Sequence, residues 1–326
     1  MTAGTTARTP PARPIRIGIS SCLLGQEVRF DGGHKHDRFL TDTLGQYVEW
    51  VPVCPEVEMG LGTPREPIRL VRRDGEVRLV GTKTETDVTE GMRSYSAARL
   101  AALESEDLSG YVLKKGSPSC GMERVRLYGG KGAPSRAGRG VYAEALLERF
   151  PFLPVEEEGR LCDPRLRENW VERIFAYRRL RDLWAGRWTL RDLIAFHTAH
   201  KLVLLSHSTE AYRSLGRLVA RSRSMERAAL RSRYESEFMG ALAIVATRGR
   251  HANVLQHIAG YFKKDLDSTA RGELAGIIED FRKGLVPLVV PLTLVAHYVR
   301  LYNVSYLQGQ VYLNPHPKEL ALRNHV

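Results

Sequence analysis

Residues 110–121 read GYVLKKGSPSCG: an apolar run, two lysines, a glycine- and serine-rich turn, then a cysteine. RIGISSCLLG (16–25) and WVPVCPE (50–56) repeat the arrangement, each a short β-branched run that stops just before a cysteine. Runs rich in Val, Ile and Tyr and bounded by Gly, Pro or Ser read as strands, and two more such runs lie at 67–71 and 77–80. Helix-compatible stretches at 37–45, 84–107 and 140–150 separate them. Strands alternating with helices predict an α/β N-terminal domain with a mainly parallel sheet. In such sheets the loops beyond the carboxyl ends of the strands converge on one crevice, so Cys22, Cys54 and Cys120 are expected to meet there.

The pattern breaks at PFLPVEEEGRLCDP (151–164), where two prolines flank an apolar pair and an acidic triplet follows. Beyond it the spacing is helical over 165–184, 189–206, 207–221, 224–247, 251–266, 269–283 and 287–302, which predicts an all-α C-terminal domain. The expected organisation is a disordered tail at 1–14, an α/β domain at 15–150, a linker and connecting helix at 151–188, and a helical domain at 189–326. The tail, MTAGTTARTPPARP, has too little apolar surface to offset the entropy of ordering. GGKGAPSRAGRG (129–140) follows no strand–helix pattern and reads as a mobile loop, with a phosphate-contacting loop as the alternative.

The net charge of +12 is unevenly placed. Residues 1–164 hold 23 Lys and Arg against 23 Asp and Glu, while residues 165–326 hold 26 against 14. A basic second half suits a polyanion partner, since each neutralised phosphate releases counterions; many solvated arginines are the alternative. The longest uncharged stretch, GLVPLVVPLTLVAHYV (284–299), is too short and too interrupted by proline to span a bilayer. A soluble, cytoplasmic protein is expected.

Four cysteines in a chain of 326 residues do not make a disulfide scaffold. The absence of a CxxC pair argues against a zinc ribbon. Thiolate-only ligation suits an iron–sulfur cluster, and three thiolates on four irons leave one iron open as a Lewis acid for a soft atom such as sulfur. A lone cysteine is commonly a small buried hydrophobe, but these three have polar or turn-forming neighbours. Cys162 has no strand before it and reads as a bystander.

SSCLLG (20–25), VRFDGG (28–33), VCPEVEMGLGTPREPIRL (53–70), TKTETDVTEGM (82–92) and LKKGSPSCG (113–121) together resemble the thiouracil desulfidase family. The resemblance implies a 4Fe-4S cluster on Cys22, Cys54 and Cys120, whose open iron takes the sulfur of a thiopyrimidine base and leaves a uracil. The stretches 197–220, 251–266 and 306–320 resemble the helical domain of two-domain enzymes that remove sulfur from 4-thiouridine in tRNA. That second resemblance implies an RNA-binding role for the helical domain.

Glu56, two residues after Cys54, is the first candidate for general base or proton relay, unless it caps a helix beginning near Glu58. Ser117 and Ser119 are candidates for contacting the substrate or the attacking water, or else shape the turn. Asp31 orients substrate or makes an Asx turn. Lys114 and Lys115 anchor a phosphate or offset cluster charge, or are solvated. His197 and His200 lie three apart on one helix face, but no third ligand falls at a recognised spacing, so helix packing or RNA contact is preferred over a metal. Arg213, Arg217 and Arg221, continued by Arg223, Arg227, Arg231 and Arg233, are read as a stripe that tracks a phosphate backbone, with a solvated face shared with Glu210, Glu226, Glu235 and Glu237 as the alternative. Lys263 and Lys264 follow Tyr261 and Phe262, a pairing that suits a splayed base, unless the two aromatics are core. The reading is a desulfidase acting on 4-thiouridine in tRNA; free thiouracil as substrate, or a non-catalytic nucleic-acid-binding sensor, are the alternatives.

Overall fold

A computed structural model describes residues 14–129 and 133–325. The disordered tail expected at the start therefore lies outside the described residues except for Pro14, as does the part of the expected mobile loop at 130–132. The chain divides into two units between Cys162 and Asp163.

The first unit is α/β. Strands β1 (Arg16–Ser20), β2 (Glu49–Val53), β5 (Leu108–Leu113) and β8 (Val155–Glu157) form a sheet of order β2-β1-β5-β8, parallel at every pair. Its core includes Ile17, Ile19, Val53, Val112 and Leu113, all at 0% exposure. The strands read at 67–71 and 77–80 do not join it. They form a hairpin, β3 (Ile68–Arg73) and β4 (Glu76–Gly81), in a second, mixed sheet with β6 (Val125–Tyr128) and β7 (Ser135–Gly138). Strand β7 falls where a mobile loop was expected; it pairs antiparallel with β6, and its small and charged residues carry no alternating apolar signal.

Helices α1 (Pro55–Glu58), α2 (Thr89–Glu104) and α3 (Val141–Arg149) belong to this unit. The helix expected from residue 84 begins five residues later, because the Asp87 carboxylate accepts from the Thr89 amide and hydroxyl and residues 84–88 turn back on β4. The linker expected from residue 151 is also displaced. The acids that signalled a break are satisfied inside the fold: Glu157 accepts from the Met122 amide at 2.8 Å and Glu156 from Arg160 at 2.7 Å, so the segment becomes an edge strand.

The second unit is helical: α4 (Pro164–Trp184), α5 (Leu190–His207), α6 (Thr209–Ala220), α7 (Arg227–Ala243), α8 (Arg248–Ala259), α9 (Ser268–Lys283), α10 (Val289–Leu301) and α11 (Ser305–Gln308). Starts are set by side-chain caps, among them Asp163, Thr189, Ser208, Glu226, Thr247 and Asp267, each accepting from an amide of the first turn. Trp170, Tyr234, Phe238 and Phe262 fill the core at 0% exposure. Among the described residues, no helix is long and apolar enough to cross a membrane.

Candidate metal centre

The three strands that precede the cysteines, β2, β1 and β5, are neighbours in the parallel sheet, and the chain reverses its strand order at β1. That is the edge at which open α/β sheets bind ligands. A cavity of about 320 Å³ opens there, lined by Cys22, Cys54 and Cys120. Cys22 lies in a single 3-10 turn after β1, Cys54 is the N-cap residue of α1, and Cys120 ends the GSPS turn after β5. All three are free thiols, as is the exposed Cys162, which lies outside the cavity wall.

Burial acts on all three. It pushes the Cys22 thiol up to about 11 against the pull of Lys114, and raises both Cys54 and Cys120. The protein alone therefore favours neutral thiols, and a bound metal is what would hold them as thiolates. Among the described residues, no three His, Cys, Asp or Glu side chains converge on a point that would hold one metal ion. A cluster asks for a different arrangement, one thiol per iron around a shared space, and three soft thiols around one cavity fit a multi-iron group by donor chemistry.

Glu56 lines the cavity and is the hub of its polar wall. Arg65 donates from Nε and Nη2 to Glu56 Oε2, at 3.0 and 2.6 Å, and Ser119 Oγ donates to Glu56 Oε1 at 2.8 Å. The capping considered for Glu56 is done by Glu58, whose Oε1 accepts from the Cys54 amide at 2.8 Å while Tyr95 and Arg99 hold Oε2 at 2.6 and 3.2 Å. Ser119 is fully buried behind Glu56 and does not line the cavity, whereas Ser117 does. Ser117 Oγ accepts from the amides of Ser119 and Cys120 at 3.2 and 3.1 Å, so it also builds the turn that presents Cys120.

Lys114 lines the cavity and pairs with Glu158; Lys115 lines it too, and its amide donates to Glu158 at 2.7 Å. The VRFDGG loop contributes Arg29 and Phe30 to the wall. Asp31 stands at the surface instead, where it accepts from Arg29 and from the Gly33 amide at 3.2 Å, and the bond from Arg29 holds its carboxyl below the usual range. Sequence reasoning missed Arg65, Glu58, Glu158 and Phe30. Arg65 lies inside the motif VCPEVEMGLGTPREPIRL, but nothing in that stretch says which acid the guanidinium would reach.

In the second unit Arg213 and Arg217 are exposed on α6, but the helix ends at Ala220. Arg221 is its C-cap residue and Arg223 lies in a 3-10 turn, so the stripe drawn through 213–233 is broken there and resumes on α7. Buried Ser222 and the Glu226 cap enforce the break. Arg227 and Arg231 lie over the rings of Trp188 and Trp184, and Arg233 pairs with Glu237 at 2.8 Å. Lys263 and Lys264 are exposed; of the two aromatics before them Phe262 is core, while Tyr261 is 40% exposed and stacks on Tyr306. His197 and His200 are buried in an aromatic cluster with Phe196, Tyr234 and Phe238, which makes them packing residues.

Comparison with known proteins adds to this geometry. Residues 17–158 match the 2-thiouracil desulfurase family and residues 201–317 match a family of unknown function, DUF1722. The uncharacterized protein YbgA of Escherichia coli K12 is 35% identical over 161 residues, which covers 49% of this chain and 95% of YbgA. The uncharacterized protein YbbK of Bacillus subtilis 168 is 34% identical over 147 residues, 43% of this chain and 95% of YbbK. A solved structure, that of the 4Fe-4S-dependent thiouracil desulfidase TudS, shares 36% identity over 46% of this chain and 94% of its own, with a TM-score of 0.39.

Proposed function

From the premise that residues 17–158 belong to the 2-thiouracil desulfurase family, we propose that this chain is a 4Fe-4S-dependent desulfidase acting on 4-thiouridine in tRNA, giving uridine and sulfide. The observation that carries the reading is the placement of three thiols from adjacent parallel strands around one cavity whose wall also holds a fixed carboxylate. Cys22, Cys54 and Cys120 would hold the cluster. When bound, it supplies an iron left open by three-cysteine ligation, a Lewis acid that polarises the thiocarbonyl.

The chain's own residues do the rest. A water takes the place of sulfur at the ring carbon, and its protons leave with the sulfide. Glu56 accepts a proton from that water at Oε1, which also accepts from Ser119 Oγ, while Arg65 holds Oε2 with two hydrogen bonds. Ser119 is a positioning residue, since it reaches the reaction through Glu56 Oε1. Lys114 and Lys115 supply positive charge at the mouth, and Ser117 holds the turn of Cys120. Arg213, Arg217, Arg221, Arg223, Lys263 and Lys264 are exposed on the basic second unit and are assigned to the RNA backbone. The base must leave its stack to reach the thiols.

Free thiouracil is the second reading, favoured by the family description itself. The test is anaerobic reconstitution with iron and sulfide, incubation with thiolated tRNA and with 2- and 4-thiouracil, and analysis of nucleosides and bases. Loss of 4-thiouridine from tRNA at a rate that falls steeply with salt supports the first reading. Turnover of the free base alone supports the second, and an intact cluster with neither substrate consumed overturns both.

A further inference from the structure

The neutral charge sum of residues 1–164 hides a local surplus. The four strands of the second sheet, β3, β4, β6 and β7, carry six arginines and a single acid, Glu76, whereas the four strands of the first sheet carry one arginine against three acids. One face of the second sheet is apolar, since Leu70, Leu79, Val125 and Leu127 are buried there, and strand alternation puts Arg69, Arg73, Arg78 and Arg126 on the other. The pairing of Leu70 with Leu127 sets Arg126 beside Arg69. Like charges on neighbouring strands repel, which an anion laid over the face relieves. The chain supplies part of that charge: Arg69 and Arg73 both reach Glu85, and Arg78 pairs with Glu76 at 2.7 Å. Arg126, and Arg136 on the edge strand β7, are exposed and have no acidic partner among the described residues.

This face adjoins the cavity of the three cysteines. Pro67 and Ile68, the residues just before Arg69, stand in the cavity wall. Strand β3 then carries Arg69 and Arg73 away from it, about 13 Å apart at a rise of about 3.3 Å per residue. The Arg69 guanidinium lies 5.3 Å from the centre of the Tyr128 ring, which places an aromatic side chain among the cations. A base drawn from its stack into the cavity brings its flanking phosphates across the surface that borders it, and arginine is the side chain best matched to phosphate. An anionic membrane would also suit the charge, but binding there takes apolar side chains that enter the interface, and none of the large apolar side chains exposed among the described residues lies on this sheet. We propose that the outer face of the second sheet, with Arg69, Arg73 and Arg126 upon it and Arg136 at its edge, holds the phosphate backbone of the RNA that carries the target base. The inference rests on the tRNA reading above and gives the cysteine-bearing unit an RNA contact of its own.

The test is fluorescence anisotropy of labelled tRNA containing 4-thiouridine, titrated with the reconstituted full chain over a range of salt concentrations, with nucleoside analysis of the same tRNA. Arg126→Gln and Arg136→Gln are each expected to lower the slope of log affinity against log salt by about 1, and together to weaken binding about tenfold or more at 0.1 M salt. Arg149→Gln, which removes the same charge from an exposed position on α3, should bind as the parent does. Parent affinity and slope in the double variant, with 4-thiouridine still consumed, would overturn the inference and leave the tRNA reading standing. Affinity that depends on the two arginines while 4-thiouridine persists would do the reverse. Equal losses in Arg149→Gln, or losses seen on phosphatidylglycerol vesicles and not on tRNA, would overturn the inference in favour of net charge or a membrane, and no binding of tRNA by the parent chain would overturn both.

Discussion

At Glu56 the two carboxylate oxygens have separate partners, Arg65 on one and Ser119 on the other, so this side chain is held in one orientation at the cavity wall. Glu56→Gln keeps the shape and removes the base. Turnover is expected to fall by about 10² to 10⁴ with iron content unchanged, which single-turnover kinetics and an iron assay on the same sample will check. The cysteines divide in the same way. Cys22→Ser, Cys54→Ser and Cys120→Ser should each lose cluster absorbance and iron after anaerobic reconstitution, whereas Cys162→Ser, at an exposed position outside the cavity wall, should retain both. Equal loss in all four would remove the distinction between ligand and bystander. Cys22, Cys54 and Cys120, each just past a strand, were legible as a set of three, but the Arg65–Glu56 contact was not, since a turn separates the two and only the fold brings them together.

The element that presents Cys120 depends on close backbone approach. A Cβ built on Gly140, the residue before α3, would lie 2.3 Å from the Ser119 carbonyl oxygen and 2.9 Å from the Cys120 amide nitrogen. Gly140 donates its own amide to the Gly121 carbonyl at 2.8 Å, which ties the start of α3 to the cysteine turn. Gly140→Ala must push that turn away. It is expected to cost about 1–3 kcal/mol in urea unfolding and to lower iron loading, although no ligand is touched. Unchanged iron and stability would show that the turn and α3 move freely past one another. Helices were the most legible elements: seven segments of the second unit were found from spacing, because apolar residues recur along them at helical intervals. Strand β7 and the edge strand β8 were not, since short strands of small or charged residues carry no alternation and are held by partners distant in sequence.

At the scale of the whole chain, acid should act first on the helical unit. Burial holds His197, His251 and His316 down at about 4 and His200 at about 3. An unfolded histidine titrates near 6.5, so below that pH the unfolded chain binds protons that the folded one refuses. Their contribution is complete above about pH 6.5 and is lost as pH falls toward 4, by up to about 1.4 kcal/mol per pH unit for each histidine. Glu172, held low by His207 and Arg323 against the cost of its burial, loses its contribution only in stronger acid. Urea unfolding at pH 7.5, 6 and 5 will check this through tryptophan fluorescence, since Trp170, Trp184 and Trp188 lie in the second unit; a midpoint independent of pH would contradict it.

What the amino-acid sequence by itself determined is periodic or local: α/β then helical, three cysteines each after a strand, and a charge surplus confined to the second half. Each is written in spacing or composition that neighbouring residues share. Only the tertiary structure decided which sheet each strand joins, that Arg65 and Ser119 orient Glu56, that Asp31 stands outside the cavity, and that the arginine stripe breaks at Ser222. These depend on which distant side chains come within about 3 Å of one another, and a hydrogen bond at that range reflects where the backbone turns rather than how far apart its partners lie in sequence.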